Sequence, residues 1–384
     1  MSLKHDPTNL ARRLKNRSSS GTLRHLSVKD ELVDFSSNDY LGLARSESLK
    51  IRIDARLKEK QSKQYNGSGG SRLLKGNSYD AEQLEDFLAK FHDTESALLF
   101  NSGYDANLGL IGSLAGKDDL YLYDELIHAS MHDGMKLSQA EKQSFPHNDV
   151  SYLEAFIPSN SGDVFLLTES IFSMDGDEAP LKELTAICKS KGWYLIVDEA
   201  HAMGIKGGRG EGLLQSLGLH NDVFARIITF GKGPGVHGAA ILGNNALKSF
   251  LINFARPLIY STALPLHSLI AIEQSYLMFS KMNQERKHLH EISMKFHTFA
   301  AHHFAEKYIH SSSAIHCIVI VGNETTRSFA TKLQDSGLDI RPILSPTVPR
   351  QTERIRICLH AFNTSEELSE LMDSLLEAKK YFSI

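Results

Sequence analysis

Three apolar runs in the middle of this 384-residue chain each lead into a cluster of polar, reactive side chains. The run 164–168 leads into Glu169 to Ser173, the run 193–197 into Asp198 and His201, and the run 226–230 through Thr229 to Lys232. If the runs are neighbouring strands, a carboxylate, an imidazole and a primary amine meet outside one sheet edge, where parallel sheets collect ligands. A lysine amine of lowered pKa forms an imine with an aldehyde. A buried carboxylate keeps a pyridine nitrogen protonated, and an imidazole can hydrogen-bond a phenolate oxygen. Amides at the start of a helix take a phosphate. Together these are the demands of pyridoxal 5′-phosphate. Ser102-Gly103-Tyr104, a small-residue turn opening a helical pattern, is the candidate phosphate cradle, and His128 is the candidate ring to stack on the cofactor.

Other chemistries compete for the same residues. Asp198-Glu199-Ala200-His201 also reads as the acidic box of a helicase, which requires a phosphate loop of the form GxxxxGK[ST]. The nearest segment, GSLAGKD (112–118), is one residue short and lacks the magnesium-binding hydroxyl. His128 and His132 stand four apart and could share a helix face as zinc ligands, but no glutamate follows His128, so the HExxH pattern fails and no metal is expected.

The elements that must position these groups follow from the surrounding pattern. Strand-length apolar runs at 97–100 and 120–123 alternate with helical patterns at 103–114, at 124–136 and from Pro180 to about 190. Strands separated by such helices imply right-handed crossovers and a largely parallel sheet. From 265 to 305 the pattern is helical, and the tail alternates again: strands at 315–321, 338–343 and 355–359, helices at 325–335 and from about 365. The length implies about two to three core-forming units. A hydrophobic share of 41% and a charged share of 23% fit a soluble globular chain rather than a disordered one. A net charge of −4 gives no electrostatic reason to expect nucleic acid or an anionic membrane as partner. No apolar run reaches the roughly 18 residues of a membrane span. The start of the chain lacks an apolar secretory segment, and Cys188, Cys317 and Cys358 are scattered, so a reduced, cytoplasmic protein is expected.

Six motifs carry a resemblance across the chain from about residue 34 to the last helix: FSSNDYLGL (35–43), GSGGSR (67–72), SIFSMDGDEAPL (170–181), VDEAH (197–201), TFGKGPGVHGAA (229–240) and SPTVP (345–349). In this order they resemble the α-oxoamine synthase family of fold-type I pyridoxal-phosphate enzymes. The resemblance implies an α/β chain: an N-terminal arm (1–45), a large cofactor-binding domain with a mostly parallel sheet (46–270) and a smaller C-terminal α/β domain (271–384). It further implies that Lys232 forms the imine, Asp198 partners the pyridine nitrogen, His201 and Ser173 bond the phenolate side, and His128 stacks on the ring. Ser102, Gly103 and Tyr104 would line the cofactor and Thr229 would reach its phosphate. Ser261 and Thr262 would reach the phosphate of the partner subunit in a homodimer with shared sites. Asn38 and Arg356 match positions linked to the substrate carboxylate, and Thr347 lies near the acyl substrate. Arg24 or Arg17 would supply the substrate-binding arginine of the arm. Ser173 and Thr229 also read as satisfying local backbone, and Asn38 as holding a turn. Where the family often has a second glycine, this chain has His237.

The reaction implied is decarboxylative condensation of an amino acid with an acyl thioester. The motifs lie nearest the biotin-pathway branch, which joins L-alanine to a pimeloyl thioester carried by coenzyme A or a carrier protein. Glycine with acetyl-CoA, serine with palmitoyl-CoA and glycine with succinyl-CoA are the rivals within the family. A non-catalytic relative serving as an interaction module is the rival outside it, and the intact set of Lys232, Asp198 and His201 argues against that.

Overall fold

The computed structural model of the chain describes residues 7–26, 28, 31–60, 66–159 and 161–384. Of the expected arm, residues 1–6, 27, 29 and 30 lie outside the described residues. A first short strand, β1 (Val33–Asp34), follows a helix, Thr8–Ser19, that buries none of its side chains. The next seven strands are β2 (Ser96–Phe100), β3 (Leu120–Asp124), β4 (Glu141–Phe145), β5 (Val164–Glu169), β6 (Tyr194–Asp198), β7 (Ala225–Thr229) and β8 (Ala239–Gly243). Among the described residues these form one sheet in the order β2-β8-β7-β6-β5-β3-β4. Every neighbouring pair is parallel except those of β8, which runs antiparallel to β2 and β7.

The continuous apolar runs exist because helices cover both faces of this sheet. Alternate residues enter opposite cores: Leu120, Leu122, Leu166 and Leu195 pack on one side, and Tyr121, Phe165, Leu167 and Ile196 on the other. Each such side chain contributes about 1.5–3 kcal/mol when fully buried. The expected runs at 97–100, 120–123, 164–168, 193–197 and 226–230 all fall within strands, with ends shifted by a residue. Two strands are additional. In β4 the sequence EKQSF leaves four of its five residues exposed on the sheet edge, so no apolar run marks it. In β8 the run is buried but begins at the end of the glycine-rich motif that follows Lys232, sharing Ala239 and Ala240 with it.

The helix expected over 124–136 begins only at Ala129. Asp124 turns the chain by accepting from Leu126 N at 2.9 Å, and the side chain of His128 caps the helix by accepting from Ser130 N.

The last strands are β9 (Tyr308–Ile309), β10 (Ile315–Val319), β11 (Leu338–Asp339), β12 (Arg341–Ile343) and β13 (Arg354–Cys358). Four of them form an antiparallel sheet ordered β12-β13-β10-β9, while β11 pairs with β1. The single strand expected over 338–343 is therefore split at Ile340 between two partners. The segment after β1 ties the two sheets together. Phe35 O accepts from Cys358 N and Tyr40 O from Ala361 N, each at 2.8 Å. Phe35 and Tyr40 enter one core, and Leu41 and Leu43 enter another.

Successive side chains leave a strand on opposite faces. Asp198 ends β6 facing the cleft, whereas Glu199 is fully buried on the other side, 2.6 Å from Arg226 of β7, itself 2% exposed. Glu199 also accepts from Leu214 N, and Arg226 donates to the carbonyls of Glu211 and His92. Removing one partner of such a pair strands a buried charge. Arg226→Met is expected to cost about 3–5 kcal/mol in urea unfolding. A loss under about 1 kcal/mol would show that Glu199 is held by its other contacts.

Candidate active site

Strands β5, β6 and β7 end side by side, with Glu169 opposite Asp198 and Asp198 opposite Ile227 in the ladder. Their ends open into a cleft of ≈ 270 Å³ lined by Asn38, Ser102, Gly103, Tyr104, Asn107, His128, Glu169, Asp198, Thr229 and Lys232, among others. Lys232 stands in the turn between β7 and β8, which is closed by Phe230 N to Gly238 O at 2.9 Å and Gly235 N to Lys232 O at 2.8 Å. The turn is pressed against backbone on both sides. A Cβ on Gly233 would lie 2.2 Å from Met203 O, and one on Gly235, whose φ is +68°, would lie 2.4 Å from Ala44 N. Gly233 and Gly235 are therefore required by close approach, whereas a Cβ on Gly231 would meet nothing nearer than Val236 O at 3.6 Å.

The chemistry-bearing groups form a connected network. Lys232 Nζ lies 2.8 Å from His201 Nε2, and His201 Nδ1 lies 2.7 Å from the Tyr40 hydroxyl. Asp198, 5% exposed, accepts from Ala200 N through Oδ1 and from Asn107 Nδ2 through Oδ2, at 2.9 and 2.7 Å. Asn107 Nδ2 also donates to Ser130 Oγ at 3.0 Å, and Ser130 Oγ pairs with His128 Nδ1 at 2.7 Å. Burial pushes the Lys232 amine below its ordinary range, with Arg356 adding to the effect and Asp198 and Glu169 opposing it. Burial, then the charge of Lys232, holds His201 well below the usual imidazole range. Burial also lowers His128, and it raises Glu169 well above the carboxylate range, helped by the charge on Asp198. At neutral pH both imidazoles are uncharged and the amine is predisposed to act as a nucleophile or base.

Beside this network stands the start of the helix Gly103–Leu114, capped by Ser102, whose hydroxyl accepts from Asp105 N. A Cβ on Gly103 would lie 2.4 Å from Thr229 Cγ2. Thr229 Oγ1 is buried next to that helix start with no hydrogen-bond partner, an orphaned group that calls for a ligand. On the opposite wall Arg356 donates through Nε to Ser173 O at 2.7 Å and through Nη2 to Asn38 Oδ1 at 3.0 Å. No carboxylate of a described residue lies within 4.0 Å of it. Ser173 is engaged through its backbone, its N donating to Glu169 at 3.3 Å.

Two sets of expected residues lie apart from this cleft. Ser261 and Thr262 line a separate, small cavity of ≈ 20 Å³ with Asn101 and Arg72. Arg24 donates to Thr347 Oγ1 at 3.0 Å, and with Arg17 and Arg327 they line a third cavity of ≈ 400 Å³ between the arm and the loop 342–347. Tyr104, by contrast, does line the first cleft, where it is 43% exposed and donates to Asp133. Sequence reasoning missed Asn107, Ser130 and Tyr40. The available signal for Asn107 was an asparagine on the apolar face of an otherwise aliphatic helix.

The loop carrying Ser173 is anchored from below. His147 sits between Asp124 Oδ1 at 2.9 Å and Asp177 Oδ2 at 2.8 Å. Burial alone would lower it, but the hydrogen bonds to the two carboxylates raise it to about 10. Its folded value lies above the unfolded one, so its stabilisation is full below about pH 6.5 and is lost as pH rises toward 10. The melting temperature should fall by a few degrees or more between pH 7 and pH 10, and His147→Gln should remove that slope. Parallel slopes in the two proteins would dismiss this anchor.

Comparison with known proteins places the chain among relatives. Residues 30–375 match the family described as aminotransferase class I and II. The chain is 41% identical over 372 residues to an 8-amino-7-oxononanoate synthase of Emericella nidulans, covering 89% of this chain and 88% of that one. Among solved structures, a serine palmitoyltransferase from S. paucimobilis with a bound PLP–myriocin aldimine superposes with a TM-score of 0.87 at 26% identity, over 98% of each chain. An 8-amino-7-oxononanoate synthase from Francisella tularensis superposes with a TM-score of 0.79 at 28% identity, over 93% of this chain and 100% of that one.

Proposed function

Since this chain belongs to the aminotransferase class I and II family, we propose that it is a pyridoxal-phosphate-dependent acyltransferase. In this reading it condenses L-alanine with a pimeloyl thioester to give 8-amino-7-oxononanoate, carbon dioxide and free thiol. The observation that carries the reading is the 41% identity to an 8-amino-7-oxononanoate synthase across 89% of the chain. It is joined to a cleft in which Lys232 and His201 lie 2.8 Å apart above the strand-end carboxylate Asp198.

The residues of the cleft fit the cofactor. The orphaned Thr229 Oγ1 and the amides at the start of the helix Gly103–Leu114 suit its phosphate. Lys232 would hold it covalently, Asp198 would face the ring nitrogen, His201 and Ser173 the phenolate side, and His128 the ring face. When bound, the cofactor supplies an electron sink for the pair left on the substrate Cα.

The protein's own groups do the rest. Arg356, buried without a carboxylate partner among the described residues, receives the amino-acid carboxylate beside Asn38. Lys232 Nζ, its pKa lowered by burial, takes the Cα proton and later returns one. Thr347 and Arg24 face the acyl substrate, with Arg17 and Arg327 completing a cationic wall suited to a far carboxylate. The separation of Ser261 and Thr262 from Lys232 within one chain supports a homodimer in which they complete the partner's site. Exposed Leu74 and Tyr260 nearby favour the same assembly. We read the chain as an arm (1–45), a large domain (46–270) and a small domain (271–384), a division supported by the separate seven-stranded and four-stranded sheets. No described helix is long and apolar enough to cross a membrane, and three free, buried cysteines support a cytoplasmic setting.

A second reading, serine with a long-chain acyl thioester, is favoured by the structural likeness to serine palmitoyltransferase. Steady-state kinetics with alanine, glycine and serine, each against pimeloyl, acetyl and palmitoyl thioesters, separate the two. Alanine should lead glycine by about ten- to two-hundredfold in kcat/KM, the discrimination one methyl group provides. Glycine with acetyl thioester, or serine with palmitoyl thioester, turning over faster than alanine with pimeloyl thioester would overturn the substrate assignment. The cofactor assignment has its own test. Borohydride should fix the cofactor on Lys232 as read by peptide mass spectrometry, and Lys232→Ala should lose the visible band while keeping its melting temperature. A reduced adduct mapped to another lysine would reject Lys232.

A further inference from the structure

Tyr40 lies in the FSSNDYLGL segment and has no solvent exposure. Its hydroxyl has three partners: Asn38 Oδ1 at 3.2 Å, to which it can donate, His201 Nδ1 at 2.7 Å, and the Arg356 guanidinium, which donates to it. A hydroxyl carries one proton, and Asn38 Oδ1 can only accept. With that proton on Asn38, His201 Nδ1 must be the donor to the Tyr40 oxygen. His201 Nε2 is then a bare acceptor, and the Lys232 amine 2.8 Å away donates to it. A cofactor phenolate oxygen requires the reverse, an Nε2–H that donates. The hydroxyl can supply this by rotating toward Nδ1, and Asn38 Oδ1 is not left orphaned because Arg356 Nη2 also donates to it at 3.0 Å.

We propose that the Tyr40 hydroxyl selects which nitrogen of His201 carries the proton, so that His201 accepts from Lys232 in the free protein and donates to the cofactor once Lys232 is engaged. Tyr40 is a positioning residue acting through His201. The proton balance closes: a Lys232 ammonium gives one proton to Nε2, Nδ1 releases its proton to solvent, and the lysine is left as the free amine that bonding to an aldehyde requires. The charged and titratable groups whose fields reach His201 and Lys232 are Arg356, His128, Asp198, Glu169 and Cys358. None of these hydrogen-bonds His201 Nδ1, whose partner is Tyr40.

The proposal rests on the cofactor reading but is separable from it. Nitrogen NMR of protein labelled in histidine, cofactor-free and then loaded with pyridoxal 5′-phosphate, should show His201 as Nδ1–H in the first state and Nε2–H in the second. The same tautomer in both states overturns the proposal, and an Nε2–H imidazole in the free protein does so whether or not anything binds. Protein that never takes up the cofactor overturns the functional reading, and the donor state falls with it. Tyr40→Phe removes one hydroxyl and keeps the ring, so the fold should persist. A donor at the phenolate oxygen competes for the proton shared there and lowers the pH at which the visible absorption changes. Without Tyr40 behind it, His201 is a weaker donor. The midpoint should therefore rise by roughly half to one pH unit, the worth of one buried hydrogen bond. The kcat should fall about tenfold, with the alanine KM within a few-fold. A purely structural role would lower the melting temperature and leave the midpoint in place, and an unmoved midpoint rejects the proposal.

Discussion

The site depends on one constraint: the carboxylate of Asp198 is taken out of water and must have its oxygens partnered and aimed. A buried carboxylate without hydrogen bonds is prohibitively costly. Here the backbone of Ala200 satisfies one oxygen and Asn107 the other. The first partner requires the chain to turn immediately after β6, which sets where His201 goes. The second requires the helix Gly103–Leu114 to pack with Asn107 toward the strand ends, which sets where its amino terminus and the amides there go. Through Ser130 the same asparagine fixes His128. Placing one charge thus determines most of the cleft.

The opposite face of the same segment explains why the strand ends stay in register. Glu199 turns away from the cleft into an ion pair with Arg226 of the neighbouring strand, closed by backbone donors and acceptors from three other segments. Two adjacent acidic residues therefore do different work. One presents charge to the cleft, and the other ties β6 to β7 beneath it. The turn bearing Lys232 follows directly from β7, so that tie also holds the amine against His201.

Much of this was legible in the sequence because burial on both faces writes parallel strands as uninterrupted apolar runs. The five such runs and the polar groups at their ends gave the sheet and the catalytic candidates Lys232, Asp198 and His201. Strand β4 escaped notice because its edge position leaves it polar, and β8 because its run overlaps the end of the glycine-rich motif. Asn107 and Tyr40 escaped because their function lies in long-range hydrogen bonds, Tyr40 to His201 spanning 161 positions, which no local pattern encodes. Ser261 and Thr262 were named from resemblance alone, and their distance from Lys232 within one chain follows only from the fold.

The central claim is that the charge of Asp198 holds the ring nitrogen protonated, and exchange of the alanine Cα proton into deuterated water, followed by proton NMR, reads this directly. Asp198→Asn keeps the shape and an oxygen for the Ala200 amide but removes the charge, and its Nδ2 can no longer accept from Asn107. The account predicts that the variant still binds pyridoxal 5′-phosphate yet exchanges that proton about a thousandfold more slowly or worse, a barrier higher by about 4 kcal/mol. Exchange near the wild-type rate with the cofactor bound would contradict it.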